Sequence, residues 1–300
     1  MLISQLIMAV EDILLSILDL GETSTEEESV HSVVDYALHC GRMGFNRFWM
    51  GEHYGQVSVF NNPEPLIPII ASATDTISVG VAGLTWRKHC PSRIACSFSL
   101  LEKFFPGRID LGLVIKRRVP NTQEIIDPGV IFSSLESIFQ DGSVDLGVAK
   151  GSCPNLWQLT SSLESFYRCK HSANINLSKS LFHLGSNFNP EPEILYRLTE
   201  RNESAGKMPA RISIAIGCYV SDSTVEIERY KGFYKNIIPR EVYEACIIDT
   251  TDNFAHRLSE IVNRHKIYDV VVVNLARSYQ EKIQCAASIA KIFKLKCIDH

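Results

Sequence analysis

Short apolar segments alternate with amphipathic segments along this 300-residue chain. The apolar segments are too short for membrane spans and have the length and composition of buried strands. The pattern predicts about eight strands, over residues 13–20, 45–50, 76–84, 108–115, 155–162, 172–182, 211–221 and 268–276.

The segments between the strands carry apolar residues at helical spacing. The first begins with Ser24 or Thr25 as the N-cap and ends at Gly44. A later one begins at Pro91 and ends before Pro106 and Gly107. The pattern predicts helices over residues 24–44, 64–73, 91–105, 129–142, 192–206, 252–265 and 279–295.

Strands that alternate with helices and are apolar along their whole length predict a parallel sheet covered by helices. About eight such units in a chain of this length predict an α/β fold, a (β/α)8 TIM barrel. A doubly wound open sheet is the alternative, although the first unit lacks the GxGxxG pattern of a dinucleotide site. No linker or repeat divides the chain, so we predict a single domain over residues 1–300, in which residues 1–12 are a candidate N-terminal extension.

Composition narrows the class of protein. The chain is 45% hydrophobic and 21% charged, which is ordinary for a soluble globular protein. Its net charge of −4 is made of dispersed charges, so neither nucleic acid nor a membrane is expected as a partner. Residues 1–12 lack a basic segment and a cleavage site, which argues against a signal peptide. The nine cysteines have no CxxC spacing, so we predict reduced thiols, no metal site and a cytoplasmic location.

The residues after the second strand are the first candidate site. In a barrel, active sites form at the carboxyl ends of the strands, and this strand ends near Gly51. Glu52, His53 and Tyr54 follow, and His53 is a candidate for handling protons above a bound ligand. The alternative is a structural histidine in a long loop.

Other strand ends offer further candidates. The small residues of VGVAG, 79–83, allow a flat ligand to approach the backbone, or allow tight packing in the barrel. Asp19 near the end of the first strand is a candidate for the substrate pocket. Arg108 precedes the fourth strand and is therefore expected at the opposite end of the barrel, where residues serve stability.

Two segments are candidates for binding a phosphate. Lys116 and Arg117 follow the fourth strand, and adjacent cations bind phosphates or acidic substrates, unless they are simply solvated. Ser161 and Ser162 follow the fifth strand, where hydroxyl groups and free N–H groups hold a phosphate or cap a helix.

Several blocks of the sequence, in this order, resemble the bacterial luciferase-like flavin-dependent monooxygenases. The blocks are ILDLG (17–21), MGFNRFWMGEHYG (43–55), PEPLIPIIASATDTISVGVAG (63–83), PSRIACSFSLLEKFFPGRIDLGL (91–113), LWQLTSS (156–162) and YDVVVVN (268–274). The resemblance implies a (β/α)8 barrel and an oxidoreductase that uses reduced FMN, often supplied by a separate flavin reductase, or a deazaflavin. It implies dioxygen as the co-substrate and a small organic compound, such as a natural product, as the substrate.

The resemblance also assigns roles to residues. His53 corresponds to the catalytic acid/base and Glu52 to the glutamate beside it, while Tyr54 stands where many relatives have a second histidine. The small pair under the flavin ring, which is a non-prolyl cis peptide in some relatives, falls on Ala82 and Gly83. The serines on the phosphate side fall on Ser161 and Ser162.

The chain departs from the family pattern after the fourth strand. Ile115 occupies the position of the arginine that binds the flavin phosphate, which leaves Lys116 and Arg117 as the candidates for that contact. The excursions after strands four and seven look shorter than in the family. These departures favour the alternative of a non-catalytic luciferase-fold partner subunit or flavin-binding protein. Family members commonly pair, so a homodimer, or a heterodimer with a related chain, is expected.

Overall fold

The strands of this protein form one parallel barrel. The computed structural model describes residues 13–21, 30–53, 58, 60–115, 127–141, 146–160, 175–180 and 211–296. Its strands are β1 (Leu14–Asp19), β2 (Arg47–Met50), β3 (Ser78–Thr85), β4 (Ile109–Val114), β5 (Asn155–Thr160), β6 (Ile175–Ser180), β7 (Ile212–Val220), β8 (Ile247–Asp249) and β9 (Asp269–Asn274). Its helices are α1 (Val30–Arg42), α2 (Leu66–Ala73), α3 (Pro91–Phe104), α4 (Pro128–Asp141), α5 (Thr224–Ile237), α6 (Arg240–Ala245), α7 (Thr251–His265) and α8 (Tyr279–Ile292).

Eight of the strands close into a ring. Parallel pairs join β1 to β2 and continue in chain order to β7, which pairs with β9, and β9 pairs back with β1. The short strand β8 pairs with the carboxyl end of β7. The ring confirms the predicted (β/α)8 barrel, and its members are the eight strands that the apolar pattern predicts.

Two parts of the chain fall outside the sequence predictions. The helix predicted over residues 192–206 lies outside the described residues. Residues 222–250, for which no element was predicted, form α5, α6 and β8. The helix α5 mixes aromatic and charged residues, and its buried face consists of Ile227, Tyr230 and Tyr234, so its apolar periodicity is weak in the sequence. Among the described residues, no helix is long and apolar enough to cross a membrane.

Alternate residues of each strand face opposite layers. Those that face the helices, such as Ile17, Phe48 and Val270, belong to the main hydrophobic core. Those that face the barrel interior form a separate apolar cluster of Leu18, Trp49, Ala82, Trp157, Ala215, Val271 and Val273. Both faces are buried, which explains why these strands appear as continuous apolar runs in the sequence.

A charged cluster fills the amino-terminal part of the barrel interior. Arg47 lies 3.3 Å from Asp110 and 2.9 Å from Asp269, and each of the three side chains is at most 9% exposed. The indole N–H groups of Trp49 and Trp157 donate to the two carboxylate oxygens of Asp110, at 2.8 and 3.1 Å. Burial raises the pKa of Asp110, whereas Arg47 and the two indoles oppose that shift by favouring its charged form.

Arg108 lies at the same end of the barrel, on the outside. Its guanidinium group donates to the carbonyl oxygens of Ile77 and Ala71, each at 3.1 Å, and to the Thr74 hydroxyl at 2.7 Å. These bonds tie the end of α2 to the starts of β3 and β4. The structural role predicted for Arg108 is confirmed.

Candidate functional site

The carboxyl ends of β2 and β3 meet at one rim of the barrel. The Gly51 N–H donates to the carbonyl oxygen of Asp19 at 2.8 Å. Gly51 itself lies close to β3, since a Cβ atom at this position would be 3.5 Å from the carbonyl oxygen of Ala82. His53, two residues further along, has an exposed side chain, and its N–H donates to the carbonyl oxygen of Phe60 at 3.1 Å. The chain thus leaves β2 beside Ala82 at Gly51, and His53 follows two residues later.

The Ala82–Gly83 peptide bond is cis. Ala82 belongs to the apolar cluster of the barrel interior, and the pairing of β3 with β4 shifts register between Val81 and Leu84. A side-chain carbon on Gly83 would lie 2.9 Å from the carbonyl oxygen of Gly112, closer than real side-chain carbons come. Close packing between the strands thus explains Gly83, and Ala82 presents a small side chain to the interior.

The Glu52 carboxylate links the two strand ends. Its side chain is 0% exposed. One oxygen accepts the backbone N–H of Thr85, the last residue of β3, at 2.7 Å. The other lies 2.5 Å from His89 Nε2. Glu52 thus has a protein partner at each oxygen, and the cofactor contact expected of it stays a prediction.

His89 is a residue that the sequence analysis missed. It follows a single turn of 3-10 helix, Trp86–Lys88, and precedes α3. Its side chain is 18% exposed. Because the segment is polar and irregular, no periodic pattern marks His89, and its pairing with Glu52 depends on how two strand ends meet in space.

Glu64 is a second carboxylate near this pair. Burial raises the pKa of Glu64, the Glu52 charge raises it further, and His89 opposes the shift. Glu64 therefore tends toward its neutral form relative to an exposed glutamate.

Asp19 lies elsewhere than predicted. Its carboxylate is 1% exposed and 2.8 Å from the Lys282 ammonium group on α8, and it accepts the Gly21 N–H at 3.1 Å. Its neighbours at alternate positions of β1, Leu15 and Ile17, face the helix layer. The structure thus corrects the prediction: Asp19 faces the helices and forms an ion pair instead of lining the pocket.

The residues expected at the phosphate end are largely outside the described part of the chain. Ile115 is partly buried and packs against the core that faces the helices. Tyr54, Lys116, Arg117, Ser161 and Ser162 lie outside the described residues. The structure thus brings Glu52 to Thr85 and His89 and brings Gly51 to Ala82, and His53 follows Glu52 in the chain.

Comparison with known proteins finds similarity to one family over the first part of the chain. Residues 13–120 match the model of the luciferase-like monooxygenase family. A luciferase-like monooxygenase of Escherichia coli K12 is 34% identical over 110 residues, which are 35% of this chain and 33% of the relative. The N-acetyl-S-alkylcysteine monooxygenase of Bacillus subtilis is 33% identical over 103 residues, 33% of this chain and 31% of the relative. The matched segments thus span about a third of each of these relatives.

Solved structures extend the likeness in fold to nearly the whole chain. The structure of apo-MsnO8 has a TM-score of 0.75 at 17% identity, over 96% of this chain and 99% of that one. The oxygenating constituent of 3,6-diketocamphane monooxygenase of Pseudomonas putida, in complex with FMN, has a TM-score of 0.65 at 14% identity, over 95% and 99%. An F420-dependent secondary alcohol dehydrogenase has a TM-score of 0.66 at 13% identity, over 95% and 99%. Residues 13–120 of this chain are thus similar in sequence to the luciferase-like monooxygenases, and nearly the whole chain is similar in fold to the solved structures above.

Proposed function

We propose that this protein is a flavin-dependent monooxygenase that uses reduced FMN and dioxygen to oxidise a small organic substrate. The position of His53 just after β2 carries the proposal, because the preceding Gly51 lies beside the carbonyl oxygen of Ala82, the residue expected under the flavin ring. Two relatives are named as monooxygenases of an N-acetyl-S-alkylcysteine and of limonene. These names support a small organic substrate.

The described residues fit the ring end of a flavin. Towards the rim, the interior is lined by Ala82 and by the partly buried Leu20 and Leu159. A flat ring gains free energy by burying its surface against such apolar side chains. We propose that the imidazole of His53 lies at the edge of this region. We propose that Lys116, Arg117, Ser161 and Ser162 hold the phosphate.

His53 has the chemistry of a proton-handling group at this place. A neutral imidazole accepts a proton at one nitrogen and donates a proton from the other. Leu20 and Leu159 add apolar surface at this end of the interior, and apolar surface around a bound flavin would limit the access of water to the reaction. Bound reduced FMN supplies the electrons that activate dioxygen.

A non-catalytic partner subunit or flavin-binding protein is the second candidate function. Ile115 favours it, because the side chain at the expected arginine position packs against the helix layer and offers no charge for a phosphate. A deazaflavin is the second candidate cofactor, since two solved structures with a similar fold belong to F420-dependent enzymes.

Titration with cofactors tests the function. We expect reduced FMN to bind with micromolar affinity and to support oxygen-dependent turnover when a separate flavin reductase supplies it. We expect His53→Gln to lower kcat on the order of 100-fold or more while flavin affinity changes little. A protein that binds neither reduced FMN nor reduced deazaflavin below about 1 mM, roughly −4 kcal/mol of binding free energy, is not this enzyme. Binding without oxygen-dependent turnover supports the non-catalytic alternative.

We also propose that two copies of this chain pair through α2 and α3. Ile69 on α2 and Leu100 and Phe104 on α3 are 51%, 44% and 71% exposed. Large exposed apolar side chains on neighbouring helices are typical of an interface. A cytoplasmic location and a single domain over residues 1–300 complete the proposal.

A further inference from the structure

We propose that Glu52 and His89 form a carboxylate–imidazole pair that gives this site a second acid/base group, His89, beside His53. The inference rests on the proposed function, because it assigns His89 a part in the same reaction. In this pair Glu52 is the positioning residue, and His89 is the group that exchanges protons with the substrate or with water bound near it.

The pair has the geometry that fixes an imidazole. Glu52 Oε1 lies 2.5 Å from His89 Nε2, and Glu52 Oε2 is held by the Thr85 N–H at 2.7 Å. A carboxylate accepts hydrogen bonds and cannot donate them, so His89 Nε2 carries the proton. The side chain of Glu52 is fully buried, so its carboxylate is shielded from water and its hydrogen bond to His89 has no competing solvent.

The other ring nitrogen of His89 is available for chemistry. Among the residues that the structure describes, His89 Nδ1 makes no hydrogen bond, and the side chain retains 18% of its surface. The backbone N–H of His89 donates to the Trp86 carbonyl oxygen at 3.2 Å, which holds the segment in place. Nδ1 is thus a proton acceptor on an imidazole ring whose Nε2 is held by Glu52, in a residue whose backbone N–H is also hydrogen-bonded.

The pair lies at the rim where the proposed reaction takes place. Glu52 immediately precedes His53 in the chain, and Thr85 is two residues beyond the Ala82–Gly83 bond. The hydrogen bonds of Glu52 therefore connect the end of β2, which carries His53, to the end of β3 and to His89. Oxidation of an organic substrate by dioxygen requires protons to be moved more than once, and two imidazoles can divide that work.

The proton balance at His89 is simple. Nδ1 forms a bond to a proton that it takes from a substrate O–H or from a water molecule, and the ring becomes an imidazolium ion. The negative charge of Glu52 neutralises that ion, as in other carboxylate–histidine pairs. The Nδ1–H bond then breaks, and the proton passes to a developing oxyanion. Among the described groups, Glu52 and Glu64 are the carboxylates near this ring, and burial of Glu64 disfavours its charge.

Two variants and one control test the pair. We expect His89→Ala to lower kcat on the order of 100-fold with flavin affinity within about 2-fold, and added imidazole to restore much of the loss. Glu52→Gln should also lower kcat, because it removes the charge that positions His89. The control is His256→Gln, because His256 pairs with Glu260 at 3.7 Å on the exposed face of α7 and has no part in the Glu52–His89 pair. That variant should keep wild-type kcat.

A nitrogen-15 NMR measurement of the His89 ring gives a readout that needs no turnover. We expect the Nε2–H tautomer in the wild-type protein and a mixture of tautomers in Glu52→Gln. Unchanged kcat in a folded His89→Ala variant, or a loss that imidazole leaves unrestored, overturns the catalytic role of His89. A mixed tautomer in the wild-type protein overturns the pair itself. If the wild-type protein binds no flavin, the proposed function fails, and the tautomer still decides whether the pair exists.

Discussion

The Asp19 carboxylate at the end of β1 lies 2.8 Å from the Lys282 ammonium group on α8, and both side chains are at most 3% exposed. The main chain of Lys282 is tied to the same region, because its carbonyl oxygen accepts from Asn274 Nδ2 at 2.9 Å. That amide also donates to the Tyr36 hydroxyl at 2.9 Å. These contacts join the first and last βα units, where the barrel closes.

We predict that Lys282→Met lowers the free energy of unfolding by about 3–5 kcal/mol, because it leaves a buried carboxylate without its counter-charge. Urea unfolding followed by circular dichroism measures the change. The control is Lys291→Met on the same helix, where the side chain is exposed and the expected change is within about 0.5 kcal/mol.

The double variant Asp19→Asn/Lys282→Met is expected to be more stable than Lys282→Met alone. Asparagine removes the uncompensated charge and still offers an oxygen to the Gly21 N–H. Asp19→Asn alone completes the comparison. If the double variant loses as much stability as Asp19→Asn and Lys282→Met lose together, the two side chains have no net interaction.

Asp110→Ala is expected to destabilise the protein by about 3–5 kcal/mol, because Arg47 loses one of its two buried counter-charges and two indole N–H groups lose their acceptor. The tryptophan emission spectrum should change with it, since Trp49 and Trp157 contact this carboxylate. Asp252→Asn, at an exposed position of α7, is the control and should leave both readouts close to wild type. Wild-type stability in Asp110→Ala would contradict the importance of the charged cluster.

Stability should depend on pH through Glu281. Burial opposes its ionisation, but hydrogen bonds from Tyr230, Arg229 and Ser278 outweigh burial and lower the pKa of Glu281 below its ordinary value. A lowered pKa in the folded state means that the stabilisation is present above the unfolded-state pKa, roughly 4.3, and is lost as the pH falls through the folded-state pKa. We predict that Glu281→Gln costs about 1 kcal/mol at pH 7 and progressively less below about pH 4.

Denaturant unfolding at several pH values checks the role of Glu281. Glutamine can still complete the capping box with Ser278, so the variant isolates the effect of the charge. Glu228→Gln on α5, where the carboxylate is 73% exposed, is the matched control. A difference between wild type and Glu281→Gln that grows as the pH falls would have the wrong sign and would contradict the prediction.

Cys90 is expected to be alkylated before Cys246. Cys90 is exposed, and hydrogen bonds from the Ser92 side chain and the Arg93 backbone lower its pKa. Burial raises the pKa of Cys246 to about 12. The thiolate is the reactive form, so iodoacetamide near neutral pH should label Cys90 first. Peptide mass spectrometry measures the labelled fraction of each cysteine over time. Ser92→Ala should slow that labelling, and an unchanged rate would exclude the hydrogen bond as its cause.

Phe104→Glu is expected to shift the protein from dimer to monomer. The substitution places a charge at the most exposed apolar residue of α3, where pairing would bury it. Sedimentation velocity measures the oligomeric state. Val225→Glu is the control, because Val225 is 78% exposed on α5, outside the proposed interface. A wild-type protein that is monomeric at micromolar concentration would reject pairing through these helices.

Strands and helices could be read from the sequence because their signals are local. Each strand of the ring is buried on both faces and is therefore apolar along its length, and proline residues mark the starts of helices such as α3. The same local signals placed His53 just after β2, at the barrel rim. The segment from α5 to β8 was missed because it packs through a few tyrosine residues and has no continuous apolar run.

Pairing between distant charges depended on the tertiary structure. Asp19 and Lys282 are 263 residues apart, Arg47 and Asp269 are 222 apart, and Glu52 and His89 are 37 apart. No local sequence pattern indicates such a pair. Its free energy depends on which strand ends and helix faces lie within about 3 Å of each other once the barrel is closed. The sequence by itself determined the barrel and the position of His53. The tertiary structure decided that Asp19 faces a helix and that Glu52 holds His89, because a strand side chain faces the layer set by its alternation and binds the group packed there.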